Sequence, residues 1–405
     1  MSNFAKILSL LLILPTVAVA DVPVIDNGPA PAEGRVTVQL EEMWRIGGED
    51  DEDNLLGVVN QALADDQGHV YLLDIQLVEV QVFDAEGNYL RSLGQRGDGP
   101  GEVRNAFGTV FMPDGTLGLI QGFPGRIVKV DLEGTPAGEL RPGGDDPAAG
   151  GFFALRSSAS LGSSLVLGGM KLTRGDDTRT ANHFIATFGS DGAETVRYFE
   201  KTTVRSFARP EISEKAEYFP AQGGWALGHD GRIFIAPTRN DYRIDVYGAD
   251  GTLEKTITRP YESIARTPDE LERTRELMTP RRGRNRNAIN VVVEPTERDI
   301  QALRVDRQGQ IWILPSSGLK DQPAGIHSTW DVFDFRGQFR KQVSFACEGE
   351  GGQDALFFPG GGLAVLVREH RDAMFAFRGR GAAGGEDQLD GDARPLEVIC
   401  YKFQP

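Results

Sequence analysis

Cysteine is nearly absent from this 405-residue chain: Cys347 and Cys400 are the only two, and neither belongs to a CxxC or a cysteine–histidine cluster. A zinc site built on cysteine is therefore excluded. Histidine is scarce too, at five residues. No GxSxG occurs, so a nucleophile elbow has no support, and no glycine-rich stretch ends in a Walker Lys-Ser/Thr. Positive charge is in deficit, with 43 basic against 59 acidic residues and a formal net charge of −16. That balance argues against nucleic acid or an anionic membrane as a bulk partner.

Long apolar runs are missing as well. Nothing beyond the leader approaches the ~20 apolar residues of a transmembrane helix. The leader itself has Lys6, an apolar run over residues 7–14, and the small residues Ala18, Val19 and Ala20. This predicts a secretory signal peptide cleaved after Ala20, with no cysteine following for a lipid anchor. The mature protein is expected in the periplasm or outside the cell. Export permits a disulfide, but Cys347 and Cys400 stay open between a bridge and two free thiols, because only geometry can decide.

What is abundant is glycine, 50 residues without collagen periodicity. Two Gly-centred signatures recur. One joins two apolar strands, at residues 62–74, 110–121, 158–169, 226–237, 303–315 and 355–367. The other joins a strand to an outer strand of alternating polarity, at 82–93, 130–140, 187–198, 246–257 and 332–343, turning at Gly87, Gly134, Gly192, Gly251 and Gly337. Such turns favour positive φ and suit hairpins. Together they describe a four-stranded blade.

The first signature occurs six times and the second five. The last unit has its final strand at 396–403 but no outer strand, whereas residues 35–47 alternate with no unit to join. The pattern predicts an all-β, six-bladed propeller closed by the N-terminal strand, since an open seam would leave backbone groups unpaired. The expected layout is a signal peptide at 1–20, a linker at 21–34 and one propeller over 35–405. Its blades fall at 57–105, 106–153, 154–206, 222–260, 299–346 and 353–405, with a helical insertion at 261–298. The helix should start at Thr267, with Pro268 in its first turn and Glu270 completing a capping box, and should run to Met278.

The run VYLLDIQLVEVQVFDAEGNYLRSLGQRGDGPGEV (70–103) resembles an NHL repeat. The whole chain resembles exported bacterial six-bladed propellers related to NHL proteins, a group largely without assigned activity. Asp74 stands at the NHL Asp position after the second strand, while Leu77 and Glu79 replace the following Asn and Arg. Arg126 and Arg243 fill the Arg position in blades two and four.

Long connections all fall on one face: 95–105, 141–154, 170–182, 201–222, 259–299, 315–328 and 369–395. Variable loops on a rigid scaffold are where function concentrates. On that face the candidate ligand-binding residues are Arg126, Asn240, Arg243, Arg281, Arg282, Arg284 and Trp330. The arginines and Asn240 would contact anions or hydrogen-bonding groups, and Trp330 would offer a stacking surface. The basic cluster at 281–286 also reads as a solvated loop.

The expected function is non-catalytic binding of an envelope protein, peptide or glycan by a monomer, without a cofactor and with no catalytic residue assigned. The alternative is a divalent-metal hydrolase or lyase of lactonase or esterase type, with calcium in the central channel. It would need carboxylate, Asn or His ligands converging from several blades. His183, His327 and His370 lie near the loop face and would meet only if those loops fold over the channel. The acidic run at 49–53 has no EF-hand spacing and reads as a hydrated linker.

Overall fold

The Gly-centred turns close hairpins, and the hairpins associate four strands at a time. In the computed structural model, which describes residues 21–49, 51, 56–143, 151–221, 223–280, 289–383 and 396–403, the sheets form a six-bladed β-propeller. The signal-peptide segment lies outside the described residues.

Blade 1 comprises Val59–Ala64, Val70–Asp74, Glu79–Phe83 and Tyr89–Leu93. Blade 2 comprises Ala106–Phe111, Leu117–Gln121, Arg126–Val130 and Pro136–Leu140. Blade 3 is the tallest, with Phe152–Leu161, Ser164–Arg174, Thr178–Phe188 and Glu194–Ser206. Blade 4 has short inner strands, Trp225–Leu227 and Ile233–Ile235, followed by Arg243–Tyr247 and Leu253–Thr258. Blade 5 comprises Ile300–Val305, Ile311–Pro315, Ile326–Phe333 and Phe339–Ala346.

Blade 6 takes Ala355–Gly360, Leu363–Val367 and Glu397–Lys402 from the C-terminal part of the chain and Glu41–Gly47 from the N-terminal part. Trp44 stands opposite Cys400 in that closing pair.

The segment at 35–47 is two strands rather than one. Only Glu41–Gly47 closes blade 6. Arg35–Gln39 adds a fifth, parallel strand to the outer edge of blade 5, and Val24–Asp26 does the same for blade 4. Leu40 lies at the crossing, buried between blades 5 and 6. Asn27 rivets the strap. Its amide donates to the carbonyls of Thr258 and Gly337 at 3.1 and 3.0 Å, and its carbonyl accepts from the Phe339 backbone at 2.8 Å. The strap satisfies outer-edge backbone groups that would otherwise face solvent or another chain.

Strand alternation builds the core. Successive side chains point to opposite faces of a sheet, so each inner strand feeds two layers. Leu119 packs toward blade 1 and Ile120 toward blade 3. Each neighbouring pair of blades encloses its own apolar cluster. The cluster between blades 3 and 4 is the smallest, because the tall blade 3 faces the shortest strands of the ring.

The outer turns also fit their neighbours. Gly87 has φ 85°, and a Cβ there would lie 2.6 Å from Cγ of Trp44. Glycine is therefore required at the seam both by backbone conformation and by space.

Candidate functional site

The inner strands begin on the loop-rich face, and two helices cover their starts. Helix α1 (Pro268–Met278) follows blade 4, and Thr267 and Glu270 form the capping box at its start. Helix α2 (His370–Ala383) occupies the connection inside blade 6. Ala373, Met374 and Phe377 of α2 pack onto the cluster between blades 1 and 2, which seats that helix across the channel mouth.

Beneath the helices lies a cavity of about 980 Å³. Gln61, Phe107, Gly108, Ser157 and Phe357 contribute to its wall from blades 1, 2, 3 and 6. Leu277 of α1 and Met374 of α2 line it from above. The mixture of apolar surface with a few amide and hydroxyl groups is that of a small-ligand pocket.

Several wall groups are fixed by neighbouring blades. Gln61 exchanges hydrogen bonds with the backbone of Thr109, accepting at 2.8 Å and donating at 2.9 Å. The Trp225 indole donates to Ser157 Oγ at 2.8 Å.

Two smaller cavities adjoin this one. A space of about 480 Å³ lies toward blade 5, and Gly351, Asp354, Phe357 and His370 line both. A cleft of about 740 Å³ opens between blade 3 and the segments around blade 4, sharing Arg156, Ala221 and Leu277 with the central cavity. The cleft exists because the tall strands of blade 3 rise past the short ones of blade 4.

The sequence-derived candidates are dispersed. Arg126 donates to Glu139 at 3.0 Å, and Arg243 forms a two-pronged pair with Asp245 at 2.8 and 3.1 Å. Their guanidinium groups are thus engaged within their own blades. Asn240 donates to Thr296 Oγ1 at 2.9 Å and ties the insertion to blade 4. Trp330 is 5% exposed, packs edge-on against Phe358, and lines the cavity toward blade 5. Its ring belongs to the apolar layer between blades 5 and 6. Arg281, Arg282 and Arg284 lie outside the described residues.

Asp74 is structural. Its carboxylate accepts from the backbone N–H groups of Gly57, Val58, Gln76 and Leu77 at 2.6 to 3.1 Å.

Cys347 and Cys400 are both free and buried. Cys347 packs in the layer between blades 5 and 6, and Cys400 in the layer between blades 6 and 1. Adjacent residues Ile399 and Tyr401 face blade 5, so Cys400 points away from Cys347 across the sheet. Burial pushes the Cys400 thiol up to about 12.

Of the three histidines near the loop face, His183 and His327 are buried, at 5% and 3% exposure, and His370 is half-buried; burial lowers the pKa of His183 and His327. Among the described residues no group of three or more His, Cys, Asp or Glu could hold a metal ion. None of their helices is long and apolar enough to cross a membrane.

Sequence reasoning missed α2, Arg156 and Arg179. Arg156 and Arg179 sit within strands of blade 3, and both line the cleft.

No protein-family model matches the chain, and no curated protein matches it. Among solved structures it is similar to a Bacteroides fragilis protein predicted to be exported. The identity is 12%, the match covers 94% of this chain and 100% of that one, and the TM-score is 0.52. A member of the DUF4221 family from Bacteroides vulgatus is 10% identical over 91% of this chain and 98% of its own, with a TM-score of 0.48. Virginiamycin B lyase from Staphylococcus aureus is 10% identical over 80% of this chain and 84% of its own, with a TM-score of 0.39. At these identities the likeness concerns the fold alone.

Proposed function

We propose that this chain is a non-catalytic, NHL-like binding propeller of the cell envelope, which takes its ligand into the cavity at the loop-rich mouth of the channel. The observation that carries this reading is the pairing of a rigid wall with a helical roof. Wall groups are pinned by inter-blade hydrogen bonds such as Gln61 to Thr109, whereas α1 and α2 come from connections that a bare propeller does not need. A volume of about 980 Å³ suits a peptide end, a short glycan or a small molecule rather than a broad protein surface.

In this reading the chain is exported by its leader, cleaved after Ala20, and works as a monomer in the periplasm or outside the cell.

The test is native mass spectrometry of the purified protein after incubation with envelope extract. Gly108 lines the cavity, and a Cβ placed on it meets only ordinary contacts, the nearest at 3.5 Å. Gly108→Leu should therefore fill the mouth without disturbing the blade. The expected result is a defined adduct on the natural protein that Gly108→Leu loses. An adduct of equal abundance on both proteins would overturn the assignment to this cavity.

A further inference from the structure

The cleft between blades 3 and 4 concentrates positive charge in a protein of net charge −16. Five arginines line it, Arg156, Arg179, Arg205, Arg239 and Arg298, against two acids, Glu214 and Glu217. Both acids are already committed. Glu217 pairs with Arg205, and Glu214 is shared by Arg239 and Arg266 at 2.6 and 2.7 Å. Arg298 donates to the neutral side-chain and backbone oxygens of Gln301.

Arg156 and Arg179 make no ion pair and no side-chain hydrogen bond among the described residues, although both point into the cleft lining. Partial desolvation in the cleft lowers the pKa of both, and the neighbouring Arg205 adds to the effect at Arg179. Each nevertheless remains solvent-exposed, so its guanidinium fork is open to an incoming group and has no counter-charge paired with it among the described residues.

An independent feature points the same way. His183 lines the cleft, is 5% exposed, and leaves its Nδ1 buried without a hydrogen-bond partner. Its Nε2 lies 3.1 Å from Thr203 Oγ1, and its ring lies 4.9 Å from that of Phe219. If the Thr203 hydroxyl donates to Nε2, the neutral ring carries its proton on Nδ1. A neutral donor close enough to feel the charge of the unpaired Arg156, in a cleft that Arg179 also lines, is suited to an oxygen acceptor.

We propose that this cleft is a subsite for an organic oxyanion, a carboxylate, sulfate or phosphate group, gripped by Arg156 and Arg179 with His183 as an additional donor. Arg156 stands on the boundary with the central cavity, so the anionic group enters the cleft while the rest of the ligand lies under α1 and α2. That second half rests on the proposed function; the anion site rests on the cleft alone.

The experiment uses the mature chain and measures melting temperature and calorimetric binding with sulfate, phosphate and glucuronate, against chloride at matched ionic strength. At least one oxyanion is expected to raise the melting temperature saturably. Arg156→Gln and Arg179→Gln should each weaken that binding tenfold or more. Arg156→Gln should keep the melting temperature of the natural protein in oxyanion-free buffer, because the guanidinium it removes is solvent-exposed and unpaired. Arg156→Lys keeps the charge but loses the fork, and serves the same comparison if the Gln variant does not fold. Arg336→Gln, on an exposed turn of the opposite face, should change nothing.

A response to sulfate or phosphate identifies an ester or free-ion group, and a response confined to glucuronate identifies a carboxylate; each supports the subsite. No oxyanion acting beyond chloride, or an equal response in the Arg156→Gln, Arg179→Gln double variant, would overturn it. Gly108→Leu separates the two readings: it should spare the sulfate response while abolishing the adduct from envelope extract.

Discussion

Arg259 and Asp331 form a buried ion pair that fastens blade 4 to blade 5, with Arg259 Nη2 2.5 Å from Asp331 Oδ2. The carboxylate is fully buried and also accepts from the Tyr242 hydroxyl at 2.6 Å and the Gln342 amide at 2.8 Å. The guanidinium lies over the Tyr242 ring at 4.1 Å. Replacing Arg259 with Met would leave Asp331 buried and uncompensated. The expected loss is about 3–5 kcal/mol, whereas Tyr242→Phe removes only one of several donors and should cost about 1–3 kcal/mol. Urea unfolding of both variants checks the order. The double variant Arg259→Met, Asp331→Leu should lose less than Arg259→Met alone, because no charge is stranded.

The two thiols give a second prediction. Cys347 and Cys400 face opposite sides of blade 6 and cannot meet without turning a strand over. The protein should keep the same mass before and after reduction. A thiol reagent should find no rapidly reacting group in the native state and two per chain after denaturation.

His183 makes stability depend on pH. Burial first, then the positive charges of Lys201, Arg156 and Arg205, lower its pKa to about 4. In the unfolded chain it returns to roughly 6.5. Between those values the unfolded state binds a proton that the native state does not, so stability falls as pH drops through that window and is intact above it. Each pKa unit of difference corresponds to about 1.4 kcal/mol. His183→Gln should reduce the dependence over this range, leaving the part of the same sign that the buried His327 contributes. In NMR, the native His183 ring should remain neutral at pH 6.

The N-terminal strap supplies a fourth prediction. Removing residues 21–39 leaves Glu41–Gly47 to close blade 6 but uncovers the outer edges of blades 4 and 5. The truncated protein should retain its β-sheet circular dichroism and self-associate on size-exclusion chromatography. Gly87→Val acts at the seam itself, where the side chain meets Trp44 and the backbone needs positive φ. It should lower the melting temperature sharply without promoting association below the transition.

Much of this fold is legible in local chemistry. Asp-Gly and Gly-Gly turns announce hairpins wherever they fall, and the count of two turn types locates the seam. Helix α1 is readable because Thr267, Pro268 and Glu270 are each suited to a helix start. Helix α2 is not, since the stretch after His370 has glycines within it and no such cap, and its apolar residues matter only once blades 1 and 2 lie beneath them. The break at Leu40 is equally hidden, because an alternating strand reads the same whether it pairs with one sheet or two in succession.

The site is less legible for a related reason. Arg243 and Asp245 are two apart on one strand and so share a face; their pairing was available from spacing alone. Arg156 and Arg179 belong to different strands of blade 3 and stand out only because the two acids of the cleft, Glu214 and Glu217, are committed to other arginines. Charge excess inside a cleft is a property of the assembled ring, and no window of sequence contains it.

The strap also sets an order of events. Arg35 hydrogen-bonds Gln342 across 307 positions of chain, and Asn27 reaches Gly337 across 310. Synthesis delivers residues 24–47 early and their partners late, so these strands must wait unpaired while most of the ring is made. Blade-by-blade assembly can proceed behind them, but blade 6 closes only when Glu41–Gly47 pairs with Glu397–Lys402. Contacts this distant slow folding, and a waiting strand is exposed to wrong partners. Arg35, Glu41, Glu42 and Arg45 place charge along this segment, a deterrent to premature pairing that the finished propeller reuses, with Arg45 paired to Glu42, Glu348 and Glu397 across the seam.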